Sequence, residues 1–154
     1  TTMKILRNLT LFSLLAAFVT LYSCGEDGGT DVKSDQELTI EALSGTWNVN
    51  SSSSQFGTGL PDDAITSVTI TSTGFSLVGD ITQVVDGGSF TVSEEGALTS
   101  PSVNITSADV EVDGDVTVSL NAAKTKLTVS FTTVAKDARV SGTGSFVIVL
   151  DKAS

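Results

Sequence analysis

The chain of 154 residues has no histidine, one cysteine, two prolines, and only 8 lysines and arginines against 18 acids. Each shortage removes a class of chemistry. Without histidine, the usual general base near neutral pH and the commonest transition-metal ligand are missing. A single cysteine cannot close an internal disulfide, so a domain in an oxidising compartment must stand on its core alone. Scattered cations cannot assemble the basic patch that phosphate backbones require, so nucleic acid is not an expected partner. Long apolar runs are scarce too. The longest, LTLFSLLAAFVTLY at residues 9–22, is uncharged, yet shorter than the roughly 20 residues that a membrane-spanning helix needs.

That run follows Lys4 and Arg7 and ends at the lone thiol, the basic-then-apolar order of an export signal. The sequence LYSC, with Leu21 three places before Cys24 and Ser23 directly before it, resembles a bacterial lipobox. The resemblance implies that the signal is removed, that the Cys24 sulfur carries a diacyl lipid, and that Cys24 becomes the new N-terminus. A thiolate is the side-chain nucleophile that accepts such a group most readily, and two or three acyl chains hold far more firmly than one. The other reading, a leftover free cysteine behind a plain signal, leaves an unpaired thiol in an exported protein.

The expected organisation is a signal peptide over residues 1–23, a lipidated cysteine with a flexible acidic linker over 24–33, and one β domain over 34–154. The linker GEDGGTDVK has glycine and acid but almost no side chain that can pack. Glu26 and Asp27 resemble the acidic surface-export signals of Bacteroidetes lipoproteins. The expected location is therefore the outer membrane, reached through acyl chains on Cys24, with the outer surface favoured over the periplasmic face. All 18 acids but only 6 cations lie beyond Cys24, a net charge of −12, which favours solubility and repulsion from anionic surfaces.

Beyond the linker, Ser34 stands three places before Glu37, a capping-box pattern that predicts a short helix over about 35–43. From Gly45 onward apolar residues alternate with Ser and Thr, as in Val68 and Ile70, Phe90 and Val92, or Leu127, Val129 and Phe131. This period of two predicts half-buried strands, about eight of them. Turn signals stand between: Asp86-Gly87-Gly88, Glu94-Glu95-Gly96, Asn121 to Thr125 and, as the strongest hairpin signal, Asp113-Gly114 between alternating valines. The expected fold is an all-β antiparallel meander closed into a small barrel, with a β-sandwich as the alternative. SFVIVL at 145–150 is apolar on both faces, so that strand is either covered on both sides or offers a patch to a partner.

LSGTWNV at 43–49 resembles the opening strand of lipocalin-like domains, with Gly45 and Trp47 matching their G-x-W motif. The order of lipobox, acidic linker, short helix, G-x-W strand and closing β strand resembles small lipocalin-like lipoproteins of the Bacteroidetes. The resemblance implies that Trp47 closes one barrel end under a basic side chain, for which Arg139 is the nearest candidate. Taken by itself, Trp47 is the largest core residue.

No catalytic residues emerge. The serines stand in runs or alternate along strands, without a serine–lysine or paired-carboxylate motif, so an enzyme is not expected. The densest acidic cluster is DVEVDGD, where Asp109, Glu111, Asp113 and Asp115 alternate with valines or glycine. On one strand they would share a face, which would suit calcium; they equally suit a solvated hairpin face. No other cofactor is implied. Two function classes remain. One is a binding module for a small apolar or glycan ligand. The other is an accessory lipoprotein that docks on an outer-membrane partner through residues 145–150 or the loop at 51–63. Phe56 in that loop is the one aromatic that suggests a glycan platform.

Overall fold

The computed structural model describes residues 32–137 and 140–154. The expected export signal, Cys24, most of the expected linker and Arg139 lie outside the described residues. Ser34 caps helix α1, Asp35–Leu43. Its hydroxyl accepts from the Glu37 N–H while the Glu37 carboxylate accepts from the Ser34 N–H, completing both halves of the capping box. The helix buries Thr39 and Leu43 and leaves Leu38 and Ile40 outside. Thr39 is tolerated inside because its hydroxyl donates to the Gly96 carbonyl and accepts from the Lys124 ammonium.

Nine described strands follow: β1 (Trp47–Val49), β2 (Ser67–Thr71), β3 (Gly74–Val78), β4 (Val85–Val92), β5 (Leu98–Ile105), β6 (Val110–Val112), β7 (Thr117–Leu120), β8 (Lys126–Ala135) and β9 (Gly144–Lys152). A 3₁₀ turn at Asp80–Gln83 joins β3 to β4. The chain is all-β and antiparallel with one short helix, arranged as two sheets. One is the meander β2-β3-β4-β5; the other runs β1-β9-β8, with β6 and β7 both on the far side of β8. Among the described residues no ladder joins the two sheets into a ring. The sheets instead come together without pairing, β1 beside β2 and β5 beside β7.

Two irregularities account for the unpaired seam between β5 and β7. Ser100 in β5 takes a left-handed φ of 49° next to Pro101, and proline has no N–H to donate to a further ladder. Across the seam, the hairpin expected at Asp113-Gly114 does not form. β6 pairs Val112 with Thr133 and β7 pairs Thr117 with Ser130, so the chain between them carries two residues more than β8 opposite. Residues 110–120 are therefore one edge strand interrupted by a bulge, with Gly114 at φ 81° as its left-handed residue. An insertion of two residues keeps the parity of the valines, which is why the alternation reads alike for a bulge and for a hairpin. The actual hairpin turn lies at Asn121–Thr125, where the Asn121 carboxamide oxygen accepts from the N–H groups of Thr125 and Lys126.

Asp86-Gly87-Gly88 likewise lies inside a strand, β4, rather than in a turn. A Cβ at Gly87 or Gly88 would run into the backbone of β3 or β5, so these glycines serve the close approach of neighbouring strands.

The core between the sheets holds Trp47, Phe75, Phe90, Phe131 and Phe146 with aliphatic residues, each fully buried side chain contributing about 1.5–3 kcal/mol. Phe131 and Phe146 stack with centroids 4.8 Å apart and planes 6° apart. On β9, Phe146, Ile148 and Leu150 are fully buried on the core side, while Val149 on the other face is also buried and Val147 half-buried. Helix α1 packs beside β2 and β4 rather than over β9. Beyond β1, the edge of β9 is taken by the start of the 51–63 loop: Gln55 exchanges two backbone hydrogen bonds with Val147, and Ser54 Oγ accepts from the Val149 N–H. Phe56 is half-buried, with part of its ring packed against the core.

Candidate functional site

Antiparallel register divides the domain into two ends. Toward one lie α1, the start of β1, the end of β9, and the β4–β5 and β7–β8 turns. Toward the other lie the β1–β2, β3–β4, β5–β6 and β8–β9 connections.

The helix end is a seal. Trp47 is 3% exposed and its indole N–H donates to the Leu43 carbonyl at 3.0 Å, tying the strand to the last turn of α1. Gly45 precedes it with φ 113°. Trp47 pairs with Lys152 across β1 and β9, and the Lys152 ammonium stands 5.9 Å from the indole centroid, a cation–π distance. The same ammonium donates to the Ala42 carbonyl at 2.6 Å, neutralising an orphan carbonyl of the helix C-terminus. Among the described residues the basic side chain over the tryptophan is Lys152, the terminal cation of the last strand; the expected Arg139 lies outside the described residues. Gln36 completes the seal by donating its amide to the Val92 carbonyl.

Beside the seal, Asp151 accepts from the Asn50 carboxamide at 2.7 Å and pairs with Lys126 at 3.3 Å. The Asn50 hydrogen bond, then Lys126, hold its carboxyl below the ordinary aspartate range. Lys33 does the same for Glu41 on the outer face of α1, by hydrogen bond first and charge second.

The loop end is concave. A recess of about 290 Å³ is lined by residues from all four connections, among them Leu60, Asp80, Gln83, Val84, Asp109 and Val140. Its walls are pulled together by backbone and hydroxyl bonds: the Thr106 N–H donates to the Val84 carbonyl, Thr106 Oγ1 to the Thr82 carbonyl, the Ile81 N–H to the Ala64 carbonyl, and the Gly142 N–H to the Thr58 carbonyl. The buried Thr133 hydroxyl holds the Gly142 carbonyl at 2.6 Å. Gly142 has φ 81°, and a Cβ there would strike the Val84 methyl groups, so only glycine lets these two connections meet.

The four carboxylates of the acidic cluster are dispersed. Asp109 lies at the recess, Glu111 on β6, and Asp113 and Asp115 at the bulge, where Asp115 borders an open depression along the β5–β7 seam. Among the described residues no group of three or more His, Cys, Asp or Glu side chains could hold a metal ion. Asp80 and Gln83 at the recess were not singled out from the sequence. Nothing in the local pattern DITQ marks them, because their neighbours at the recess come from distant loops.

Compared with protein-family models, with curated proteins and with solved structures, the chain matches none.

Proposed function

We propose that this chain is a lipoprotein, held in the outer membrane by acyl chains on Cys24 and facing the cell surface, whose lipocalin-like β domain acts as a non-enzymatic binding module for a small ligand. The observation that carries the binding reading is the division of the domain into a sealed and a concave end. Trp47 under Lys152 at the sealed end also supports the lipocalin-like reading, in which a basic side chain covers the G-x-W tryptophan. Binding residues are commonly carried on loops over a rigid scaffold, and the recess is built from four connections on two packed sheets. A docking role for residues 145–150 has less support, since Val149 is buried and Val147 half-buried.

The anchor is tested by the intact mass of the protein taken from its native membrane, beside a Cys24→Ala variant, with protease added to whole cells. A mass matching an acylated chain that begins at Cys24, together with digestion in intact cells, is the expected result. An unlipidated chain, or one that keeps residues 1–23, would overturn the anchor; protection from protease would move the domain to the periplasmic face.

A further inference from the structure

We propose that the loop-end recess takes a small amine, with an ammonium head between Asp80 and Asp109 and an apolar body over Leu60, Val84 and Val140. The inference rests on the binding-module reading and names its ligand class.

Charge comes first. Among the described residues, Asp80 and Asp109 are the two charged groups lining the recess, with the carboxamide of Gln83 and the hydroxyls of Ser107 and Ser141 as further polar side-chain lining. Among the described residues neither carboxylate forms an ion pair; the ion pairs present are Lys33–Glu41 and Lys126–Asp151. Lys136, the nearest described cation along the chain from Asp109, donates its ammonium to the Ala108 carbonyl at 3.1 Å. Two carboxylates in a concave wall, on a chain with so large an acidic excess, focus a negative potential that attracts cations and repels carboxylate ligands.

Size and polarity narrow the class further. At about 290 Å³ the recess lies at the lower limit of ligand pockets, with room for one ring or a short chain but not for a lipid tail. Leu60 and Val140, both half-buried, give the recess apolar surface beside its polar lining. A bare metal ion would gain nothing from that surface, whereas an amine with a small hydrocarbon or sugar-ring body uses both kinds of lining. Charge-assisted hydrogen bonds from an ammonium to carboxylates are the strong kind, and the bonded, glycine-drawn walls spare the ligand the cost of ordering the loops.

The test is amide chemical-shift mapping on the full chain in detergent, at slightly acidic pH where amines are protonated. The four probes are cyclohexylamine, glucosamine, glucose and octanoate. Both amines are expected to shift the amides of Asp80, Gln83, Ser107 and Asp109 saturably, and to lose affinity as salt is raised. Asp80→Asn and Asp109→Asn should each weaken amine binding about tenfold. Asp113→Asn, at the bulge, should leave it unchanged, and the spectrum of each variant reports whether it folds. If glucose or octanoate shifts the same amides as strongly and both Asn variants bind normally, the amine class is wrong while the binding module stands. If none of the four probes moves the loop-end amides, the recess is withdrawn as a site and the binding reading loses its support with it.

Discussion

The two ends of the domain use the same strands but are held by opposite devices. At the helix end, long side chains reach backbone carbonyls: Trp47 to Leu43, Lys152 to Ala42, Gln36 to Val92 and Thr39 to Gly96. Gly45 and Gly96 take positive φ at this end too, and the result is a plug. At the loop end, the connections hold one another by backbone and hydroxyl bonds and approach closely where Gly142 leaves out a side chain. That arrangement leaves a shaped recess instead of a filled one. Side-chain reach closes one end of the two-sheet domain; contact between connections shapes a mouth at the other.

The comparison can be broken at the helix end most severely by Trp47→Ala. Removing a buried indole should cost about 3–5 kcal/mol, read as a large fall in the urea midpoint. Gly142→Ala attacks the other end. Strain at positive φ and the collision with Val84 should cost about 1–3 kcal/mol and also displace the loop carrying Val140 and Ser141. Amine binding at the recess should then fall further than stability alone would lower it, as titration of the folded variant would show. Lys152→Met keeps the aliphatic stem but loses the cation over Trp47 and the bond to Ala42. Its expected cost is about 1 kcal/mol, with recess binding unchanged, which sharpens the separation of the two ends.

The smallest effect is one of pH. The Asn50 hydrogen bond and Lys126 hold the Asp151 carboxyl below its ordinary range. The ionised form therefore stabilises the fold above the unfolded aspartate value of about 3.9, and that stabilisation is lost as pH falls through the lower folded value. Asp151→Asn should flatten this part of the acid-induced fall in denaturation midpoint. An unchanged acid profile would show that the carboxylate's partners add nothing, as exposed pairs sometimes do.

How far the sequence could be read depended on whether each signal was local. Ser34 and Glu37 contact each other within one turn, so the helix was legible in full. The alternating strands were legible because burial on one face imposes period two. β5 is harder to read from sequence because Pro101 argues against a strand, although an unpaired seam edge tolerates it. The Asp113-Gly114 bulge and the Gly87-Gly88 strand segment were misread because glycine serves turns, bulges and close approach alike. Trp47 was legible as a core residue by its size, but its pairing with Lys152 depends on the register of β1 against β9, which no short motif encodes. Asp80, Gln83 and Asp109 meet only once four connections are placed, and no spacing along the chain announces that meeting.

Trp47 is the chain's single tryptophan, so its fluorescence tests the division of the two ends most directly. Acrylamide quenching should be measured on the full chain, with and without saturating glucosamine. The account predicts an indole shielded from quencher, with emission that does not change when the amine fills the recess at the other end. An indole that is readily quenched when free and becomes protected by the ligand would contradict it, because the opening for ligand would then lie at the end assigned here as the seal.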